Sequence, residues 1–483
     1  WTTVISTGLA SGAPINLGSA STVEQFSMRL SIVEAARECP TRTALYAEGT
    51  RYTFAELSAR TQQRMREFTA VLPKSVAGSS VAVIGSNDLE TTVSLFALWE
   101  LEIPALLIHP RAPLAERTRL LEVFQPAASV RGREVHPSGP FARDIPEGTA
   151  CLILTSGTTG HPKAAVLSHA AFVASAEASA TRLQWGSDDR WLVSLSIAHV
   201  GGLSIITRCL LARSCVVLHR RFTEDEFVCA VEEDRVTQVS LVPTMLERVL
   251  ERYPQWRAPG YLRFALIGGG PANPDLPIRA ARRGIRTLLS YGLTEFCSQV
   301  CTQPLDRSDD DPTCGEPLDG FQVETRDSEI WVKGPATMTG YYPQHGAPVF
   351  DKDGWFGTGD AGVLEDGQRL RVLGRLDDAI VTGGEKVHPS EVEAILLTCP
   401  NVREACVFGR QDAVWGQIIC AALTPAPGTS VDSEDLRTTC ARYLSPSRMP
   451  RKYCILDHIP LNRNGKHSRA ETARVATPLL RDL

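Results

Sequence analysis

The sequence lacks long hydrophobic runs and blocks of basic residues. No segment approaches the about 18–20 consecutive apolar residues that a membrane-spanning helix needs. The chain starts at Trp1 without the basic and apolar stretches of a secretory leader. The sequence leaves open whether a leader preceded Trp1. The formal net charge is -5, and no five basic residues are adjacent. We therefore expect no membrane span and no nucleic-acid partner.

Paired cysteines are lacking as well. The chain has 13 cysteines, an odd number, and none of them forms a C-x-x-C pair. The closest two, Cys297 and Cys301, form C-x-x-x-C without a histidine nearby. A disulfide framework or a metal or redox motif needs regularly paired cysteines. The pattern therefore predicts buried core thiols and a reducing cytoplasm.

The length and the apolar patterning indicate a multidomain α/β protein. A chain of 483 residues exceeds the about 250–300 residues at which one hydrophobic core stops growing, so we expect at least two domains. Strand-length apolar runs alternate with helical patterns: "SVAVIG" at 80–85 precedes Leu89, Val93, Phe96 and Ala97 at helical spacing. Such alternation is typical of parallel sheets flanked by helices.

Two further strands end in residues suited to a ligand pocket. The strand "VSLV" at 239–242 leads into a helix that starts with Pro243, and "FALIGGG" at 264–270 runs into three glycines. In open α/β sheets, ligands collect at the carboxyl ends of parallel strands. We therefore expect a pocket beside these turns.

The pattern changes after about residue 374. Ser390 and Glu393 form an S-x-x-E capping box, which predicts a helix start. The later elements are expected to be strands at 404–409, 418–425 and 452–460 and a helix at 433–444. About 100 residues with their own strands and helices predict a small second domain.

The stretch "TSGTTGHPKAAVLSH" at 155–169 predicts a phosphate-binding loop. Between Thr155 and Gly160 it holds two glycines and four hydroxyl side chains, and Lys163 follows. Glycines let backbone N–H groups approach an anion, hydroxyls donate to its oxygens, and lysine supplies charge. The spacing G-x-x-G-x-x-K differs from that of a Walker A loop, so another kind of nucleotide enzyme is indicated.

Five further motifs follow this loop in order: "AHVGG" at 198–202, "YGLTE" at 291–295, "GWFGTGD" at 354–360, "GRLDDAIVTGGEKVHPSEVE" at 374–393 and "PLNRNGK" at 460–466. Together they resemble the adenylate-forming superfamily, which includes acyl-CoA synthetases, adenylation domains of peptide synthetases, and luciferases. The resemblance extends from "RYTFAELSAR" at 51–60 to Lys466 and Arg469.

The resemblance implies a fold of two unequal domains. Residues 1–376 would form a large N-terminal domain of stacked, mostly parallel sheets flanked by helices, plus a small distorted barrel. Residues 377–483 would form a small, mobile α+β domain. The resemblance makes Asp377 the hinge between the two.

The resemblance also implies the nucleotide site. The Thr294 hydroxyl would lie near the α-phosphate, Glu295 would bind Mg²⁺, Asp360 would accept the ribose hydroxyls, and Arg375 would contact the ribose. The nucleotide-binding residues implied are Thr155, Ser156, Gly157, Thr158, Thr159, Gly160, Lys163, Gly269, Gly270, Pro271, Ser290, Tyr291, Gly292, Thr294, Asp360 and Arg375.

On the acid side, His199 would lie at the mouth between the acyl pocket and the CoA tunnel. The segment "SLSIAHVGGLSIITRCLLA" at 194–212 looks most like the o-succinylbenzoate–CoA ligases and their relatives acting on benzoate or anthranilate. This likeness favours a compact aromatic acid. The acid-binding residues implied are His199, Val200, Gly201, Gly268 and Gly292.

The reaction implied has two half-reactions. A carboxylate attacks the α-phosphate of ATP, and two anions about 4 Å apart repel by about 1 kcal/mol in water and about 4 kcal/mol at an effective dielectric constant near 20. Lys466, Thr294 and His199 would be the catalytic residues of the site. Rotation at the hinge would then withdraw Lys466 and bring a CoA-side turn to the adenylate, with the residues Gly383, Gly384 and Lys386.

The sequence thus predicts a cytoplasmic, AMP-forming aryl-CoA ligase that uses ATP, Mg²⁺ and CoA, as a monomer or homodimer. Two alternatives stay open. The first is a stand-alone adenylation enzyme that loads an aryl acid onto a carrier protein. The second is a non-catalytic binding or scaffold protein, against which the intact Thr294, Glu295, Asp360 and Lys466 argue.

Overall fold

The computed structural model describes residues 29–155, 162–270, 272–343, 349–461 and 467–483. Within these ranges the helices are α1 (Ile32–Glu38), α2 (Phe54–Val71), α3 (Leu89–Glu100), α4 (Leu114–Phe124), α5 (His169–Leu183), α6 (Val200–Leu211), α7 (Glu224–Glu232), α8 (Pro243–Arg252), α9 (Leu276–Ala281), α10 (Pro389–Leu396), α11 (Ser433–Tyr443) and α12 (Arg469–Ala476). Two short 3₁₀ turns lie at Thr294–Phe296 and Thr477–Leu479.

The strands of the first half of the chain are β1 (Thr43–Ala47), β2 (Thr50–Thr53), β3 (Val81–Ile84), β4 (Ala105–Ile108), β5 (Ala128–Arg131), β6 (Glu134–Pro137), β7 (Thr149–Leu154), β8 (Ala164–Ser168), β9 (Arg190–Val193), β10 (Cys215–Leu218), β11 (Gln238–Leu241), β12 (Phe264–Ile267) and β13 (Thr287–Leu293). Those of the second half are β14 (Ser298–Thr302), β15 (Glu316–Pro317), β16 (Gln322–Arg326), β17 (Glu329–Lys333), β18 (Gly340–Tyr342), β19 (Phe356–Glu365), β20 (Arg369–Arg375), β21 (Ile380–Thr382), β22 (Glu385–Val387), β23 (Val402–Asp412), β24 (Gly416–Pro425), β25 (Lys452–Ile455) and β26 (Arg481–Asp482).

Two large sheets form the bulk of the protein. One has nine strands in the order β15-β14-β13-β12-β11-β9-β10-β1-β2, and the other has seven in the order β18-β8-β7-β4-β3-β5-β6. The central strands of both are parallel, and the edge strands are antiparallel. The central strands are buried on both faces, which explains their continuous apolar runs. The α/β architecture with mostly parallel sheets is therefore confirmed.

One hydrophobic core extends across both large sheets. It contains fully buried side chains from three helices, Trp99 of α3, Phe172 of α5 and Leu203 of α6, together with strand residues of both sheets. The helices therefore lie where they can bury apolar surface against strands of either sheet, as the layer architecture requires.

A small antiparallel sheet, in the order β16-β17-β19-β20, lies beyond the nine-stranded sheet in the chain. The Cys314 N–H donates to the Leu370 carbonyl at 2.7 Å, and the Leu370 N–H donates to the Gly315 carbonyl at 2.9 Å. A Cβ at Gly315, whose φ is +71°, would lie 2.6 Å from the backbone of Gln303. Glycine at this position therefore lets the small sheet join the nine-stranded one.

The last hundred or so residues pack around cores of their own. Strands β22-β21-β24-β25-β26 form one sheet, with β23 paired to β24. Ile380, Val392 and Leu436 are buried in one cluster there, and Phe408 and Cys454 are buried in another. The strands and the helix expected from the runs at 404–409, 418–425, 433–444 and 452–460 are present.

The predicted capping box at Ser390 and Glu393 is wrong. Helix α10 begins at Pro389 after His388, and no side chain caps it. Proline suits the first helical position because its φ is already fixed and it needs no hydrogen-bond acceptor. The Ser390 hydroxyl instead donates to the Leu373 carbonyl of β20, and the Glu393 carboxylate accepts the Val407 N–H at 2.8 Å.

The cysteines are mostly core residues, as predicted. All 13 are free thiols, ten of them are buried, and Cys229 is exposed. Burial raises the pKa of the Cys151 thiol to about 12. Among the helices that the structure describes, none is long and apolar enough to cross a membrane.

Candidate active site

The hydroxyl-rich loop starts at the carboxyl end of β7. The Thr155 N–H donates to the Lys163 carbonyl at 3.1 Å, which closes the base of the loop. The Thr155 Oγ1 is buried and has no hydrogen-bond partner. A buried hydroxyl without a partner costs free energy, so an oxygen of a bound anion fits this position. The rest of the predicted loop lies outside the described residues: Ser156, Gly157, Thr158, Thr159 and Gly160.

A tyrosine joins the loop lysine to the predicted magnesium ligand. The Lys163 ammonium lies 3.7 Å from the centre of the Tyr341 ring, and the Tyr341 hydroxyl donates to Glu295 Oε1 at 2.6 Å. Burial and the Glu295 carboxylate raise the pKa of Tyr341, so its hydroxyl stays protonated. The Glu295 backbone is held by Met338, whose N–H donates to the Glu295 carbonyl at 2.7 Å. Sequence reasoning missed Tyr341, which lies in the short edge strand β18.

A second cluster is centred on Asp360. The Tyr291 hydroxyl donates to Asp360 Oδ2 at 2.8 Å, and Arg375 Nη1 donates to Asp360 Oδ1 at 3.1 Å. Asp360 and Arg375 face each other across the β19–β20 pair. Each carboxylate oxygen thus has one donor and keeps a lone pair, so both can still accept a ribose hydroxyl.

Local geometry fixes the charge states in this cluster. Burial, followed by the Asp360 charge, raises the pKa of Tyr291 well above its ordinary value. Burial alone would lower the pKa of Arg375, but Asp360 and Asp377 raise it. The Arg375 guanidinium also contacts Asp377 Oδ2 at 3.8 Å. A Cβ at Gly359 would lie 2.8 Å from Arg375 Nη2, so glycine leaves room for this guanidinium.

Glycines bring the strand ends of the site together. A Cβ at Gly292 would lie 1.6 Å from the Ser298 carbonyl oxygen, so only glycine allows β13 and β14 to pair there. A Cβ at Gly268 would lie 3.2 Å from the Ser290 carbonyl oxygen, which places the end of β12 against β13. Gly269 has a φ of +80°. Gly270 follows in the same turn, and the predicted nucleotide-binding residue Pro271 lies outside the residues that the structure describes.

Two predicted hydroxyls differ in their surroundings. The Ser290 Oγ donates to the Cys301 carbonyl at 3.1 Å and lies 2.9 Å from Thr302 Oγ1, so this hydroxyl is engaged between strands. Thr294 is half-buried and starts the 3₁₀ turn that also carries Glu295. The turn places the side chains of Thr294 and Glu295 directly after β13, beside the predicted pocket.

The acid side is built on helix α6. His199 is the residue before this helix, and Val200 and Gly201 are its first two residues. The ring of His199 lies 5.3 Å from that of His109, between ring centres. His109 is buried and follows β4 of the seven-stranded sheet, and its Nδ1 accepts the Arg111 N–H at 3.1 Å. Each of the two large sheets therefore contributes one histidine to the N-terminal end of α6.

Arg208 on the same helix is a residue that sequence reasoning missed. It is 1% exposed, and its guanidinium carbon lies 5.4 Å from the centre of a Trp191 ring. Its Nε and Nη2 have no hydrogen-bond partner. Burial lowers the pKa of Arg208 to about 10. A lone arginine within the apolar helix "VGGLSIITRCLL" was the signal that could have found it, because a buried charge needs a counter-charge.

The predicted CoA-side residues lie on a tight turn. Gly383 and Gly384 connect β21 and β22 with φ values of +59° and +88°. The Gly383 N–H donates to the Trp415 carbonyl at 3.0 Å, and a Cβ at Gly383 would lie 2.9 Å from the Trp415 ring. No atom lies within 4 Å of a Cβ built at Gly384, and Lys386 is exposed. Lys466 lies outside the part of the chain that the structure describes.

The carboxylate of Glu295 fits a magnesium ion that is bound mainly by a nucleotide. In the described ranges no group of three or more His, Cys, Asp or Glu side chains could hold a metal by itself. Mg²⁺ commonly binds through one or two carboxylates and the phosphates of a substrate, and it keeps several waters. Glu295, whose Oε1 accepts the Tyr341 hydroxyl, supplies such a carboxylate. A nucleotide would have to supply the remaining oxygens.

Comparison with known proteins agrees with this geometry. A family model described as "AMP-binding enzyme" matches residues 133–342, and one described as "AMP-binding enzyme C-terminal domain" matches residues 391–466. A 2-succinylbenzoate–CoA ligase from Bacillus licheniformis is 32% identical over 471 residues, which cover 90% of this chain and 97% of the relative.

Two solved structures of an o-succinylbenzoate CoA synthetase from Bacillus subtilis are also similar. The complex with ATP and magnesium has a TM-score of 0.80 and 30% identity, over 91% of this chain and 98% of that one. A double mutant bound to a product analogue has a TM-score of 0.67 and 30% identity, over 92% of this chain and 98% of that one.

The fold is that of the adenylate-forming superfamily, and the protein is an AMP-forming acid–thiol ligase. The chain belongs to the family of AMP-binding enzymes. The predictions of superfamily and enzyme class are thereby confirmed, and the scaffold alternative is not supported.

Proposed function

We propose that the enzyme joins 2-succinylbenzoate to CoA through an acyl adenylate, with ATP and Mg²⁺, and releases AMP and pyrophosphate. Arg208 is the observation that carries the choice of acid. 2-Succinylbenzoate has two carboxylates, of which one is activated and the other enters the protein unchanged. A buried guanidinium on helix α6, whose Nε and Nη2 have no hydrogen-bond partner, supports a second carboxylate in the acid. Nine residues of helix α6, about two and a half turns, separate His199 from Arg208.

The described residues supply the binding half of adenylate formation. Thr155 and Lys163 hold the phosphates at the end of β7, and Asp360, with Tyr291 and Arg375 on either oxygen, binds the ribose. The attacking carboxylate and the α-phosphate are both anions, so positive charge has to be supplied where they meet. Glu295 would hold Mg²⁺, which neutralises phosphate charge when it is bound. The Thr294 hydroxyl lies on the same turn and donates towards the α-phosphate.

We assign the second half-reaction to a rotation of residues 377–483 relative to residues 1–376 about Asp377. The TM-score is higher with the ATP complex than with the product-analogue complex of the same relative, which supports two arrangements, the first of which is the more similar to this chain. In this arrangement the small domain contacts the large one through Ser390 and Leu373 and through the ion pair of Arg403 and Glu251 at 4.0 Å.

Leucine at Gly384 is expected to slow thioester formation on the order of tenfold or more, while acid-dependent pyrophosphate release stays within about twofold, because the side chain obstructs only the passage of the thiol. The measurement is thioester formation from pre-made adenylate, with pyrophosphate release followed separately. Gly428→Leu is the matched control, since its φ of +74° imposes similar strain and no atom lies within 4 Å of its Cβ. Unchanged thioester formation in Gly384→Leu would remove this turn from the CoA path.

A panel of acids tests the proposed substrate. We expect 2-succinylbenzoate to give a higher kcat/KM than benzoate, anthranilate or salicylate, read as thioester mass and pyrophosphate release. Arg208→Met should lower kcat/KM for 2-succinylbenzoate by about 10- to 100-fold, because a hydrogen bond to a charged group contributes about 1.5–3 kcal/mol. The kcat/KM for benzoate should stay unchanged. Arg208→Lys should retain most of the activity. Equal losses for both acids would show that Arg208 does not bind the second carboxylate.

The carrier-protein alternative is tested with the same enzyme. With free CoA we expect a thioester product and no accumulation of adenylate. Adenylate that accumulates with CoA, and turns over only when an acyl carrier protein is added, would favour that alternative. A cytoplasmic location and a monomeric or homodimeric state remain predictions of the sequence.

A further inference from the structure

A half-buried arginine ties together three elements of the small domain. Arg469 is the first residue of helix α12, and its Nη1 donates to Glu393 Oε1 of α10 at 2.5 Å and to the Val407 carbonyl of β23. Its Nε lies 3.3 Å from Asp378 Oδ2. Glu393 is itself buried and accepts the Val407 N–H at 2.8 Å. The carboxylate of Glu393 is thus paired and hydrogen-bonded, as a buried charge must be.

The two neighbouring aspartates at the hinge have separate arginine partners. Asp377 contacts Arg375, which lies in the large domain and also contacts Asp360. Asp378 contacts Arg469, which is anchored on Glu393 inside the small domain. Burial opposes the charge of Arg469, but Glu393 and Asp378 raise its pKa, so the guanidinium is charged. One hinge carboxylate is therefore linked to each domain.

We propose that Arg469 is a positioning residue. Its contact with Asp378 fixes helix α12 to the chain next to the hinge, so that α12 moves with this part of the chain when the small domain rotates about Asp377. The proposal rests on the rotation assigned above. Arg469 follows Lys466 by three residues, so the contact also fixes where the chain continues after that lysine. A bidentate or multiply bonded guanidinium is suited to this role because its donors are fixed in one plane.

The two half-reactions depend on this contact to different extents. The turn with Gly383 and Gly384 follows the hinge directly and is held by pairing of β21 with β22 and with β24. That turn therefore reaches its place without Arg469. Helix α12 is instead far from the hinge along the chain, and the Asp378–Arg469 contact connects it to the hinge directly. Loss of the contact should therefore affect adenylation and spare the thioester step.

Asp378→Asn tests the proposal with little risk to folding, because Asp378 is 42% exposed and Asn has the same shape. We expect the single-turnover rate of adenylation to fall about tenfold with KM for ATP unchanged, since small displacements of reacting groups are costly. Thioester formation from pre-made adenylate should stay within about twofold. Asp378→Glu should restore adenylation, and Arg469→Lys should behave like Asp378→Asn. Amide hydrogen exchange in α12 should accelerate in Asp378→Asn and not in the β21–β22 hairpin.

Two controls separate this role from general stability. Asp366→Asn removes an exposed ion pair with Arg369 in the large domain, and Arg474→Lys changes an exposed arginine on α12 itself. Both should leave the rates and the melting temperature unchanged. Equal loss in both half-reactions together with a lower melting temperature, or unchanged exchange in α12, would overturn the proposal. The exchange result is independent of the acid used, so it stands even if the substrate assigned above is wrong.

Discussion

The substitution Asp360→Ala is expected to lower kcat/KM for ATP by a factor of about 10²–10⁴, mainly because KM for ATP rises. The carboxylate accepts the Tyr291 hydroxyl and the Arg375 guanidinium and, in the proposed complex, the two ribose hydroxyls. Two hydrogen bonds to a charged group contribute about 1.5–3 kcal/mol each, or about 3–6 kcal/mol together. The measurement is acid-dependent pyrophosphate release across a range of ATP concentrations.

Two variants calibrate this result. Asp366 lies in the turn between β19 and β20 and pairs with Arg369 at the surface. Asp366→Ala should therefore leave KM for ATP unchanged. Tyr291→Phe removes one donor and keeps the carboxylate, so about a tenfold change is expected. A KM for ATP in Asp360→Ala that equals that of the unmodified enzyme would place the ribose elsewhere.

The second large effect is expected for Lys466→Ala, which should slow adenylation by about 10²–10³, the usual cost of losing one preorganised donor at developing negative charge. Thioester formation from pre-made adenylate should change by less than about threefold, because the proposed rotation withdraws the lysine before the thiol attacks. The two half-reactions are measured separately, the first by pyrophosphate release and the second by thioester mass.

Lys452→Ala is the control for a lost positive charge in the same domain. Lys452 lies on β25 and pairs with Asp482 at 2.5 Å near the end of the chain. Its replacement should leave both half-reactions unchanged. Equal losses in the two half-reactions of Lys466→Ala would show that this lysine does not act in adenylation alone.

Sequence reasoning placed most elements correctly where local signals were strong. Pro243 opens α8 and "FALI" forms β12, as their patterns predict. It was wrong at Ser390, because Pro389, which also suits a helix start, precedes the serine and begins the helix. The serine then lies inside the first turn and donates to a strand of the large domain instead. Local patterns cannot show which of two competing starts the rest of the fold selects.

Within the site, the motifs predict nucleotide-binding residues, and three of these, Asp360, Arg375 and Tyr291, form one cluster. Tyr341 and Arg208 were missed for different reasons. The edge strand of Tyr341 has no distinguishing pattern, whereas Arg208 is a single charge in an otherwise apolar helix, a signal that the sequence does contain.

The order and chemistry of the motifs, the alternation of strands and helices, and the family were determined by the sequence, because each depends on residues that are close together along the chain. Only the tertiary structure decided that Tyr341 joins Lys163 to Glu295, that Arg208 is buried with Nε and Nη2 unpaired, and that Asp377 and Asp378 have separate arginine partners. These contacts depend on sheet pairing and packing between distant segments, and burial sets their charges. No single segment contains that information.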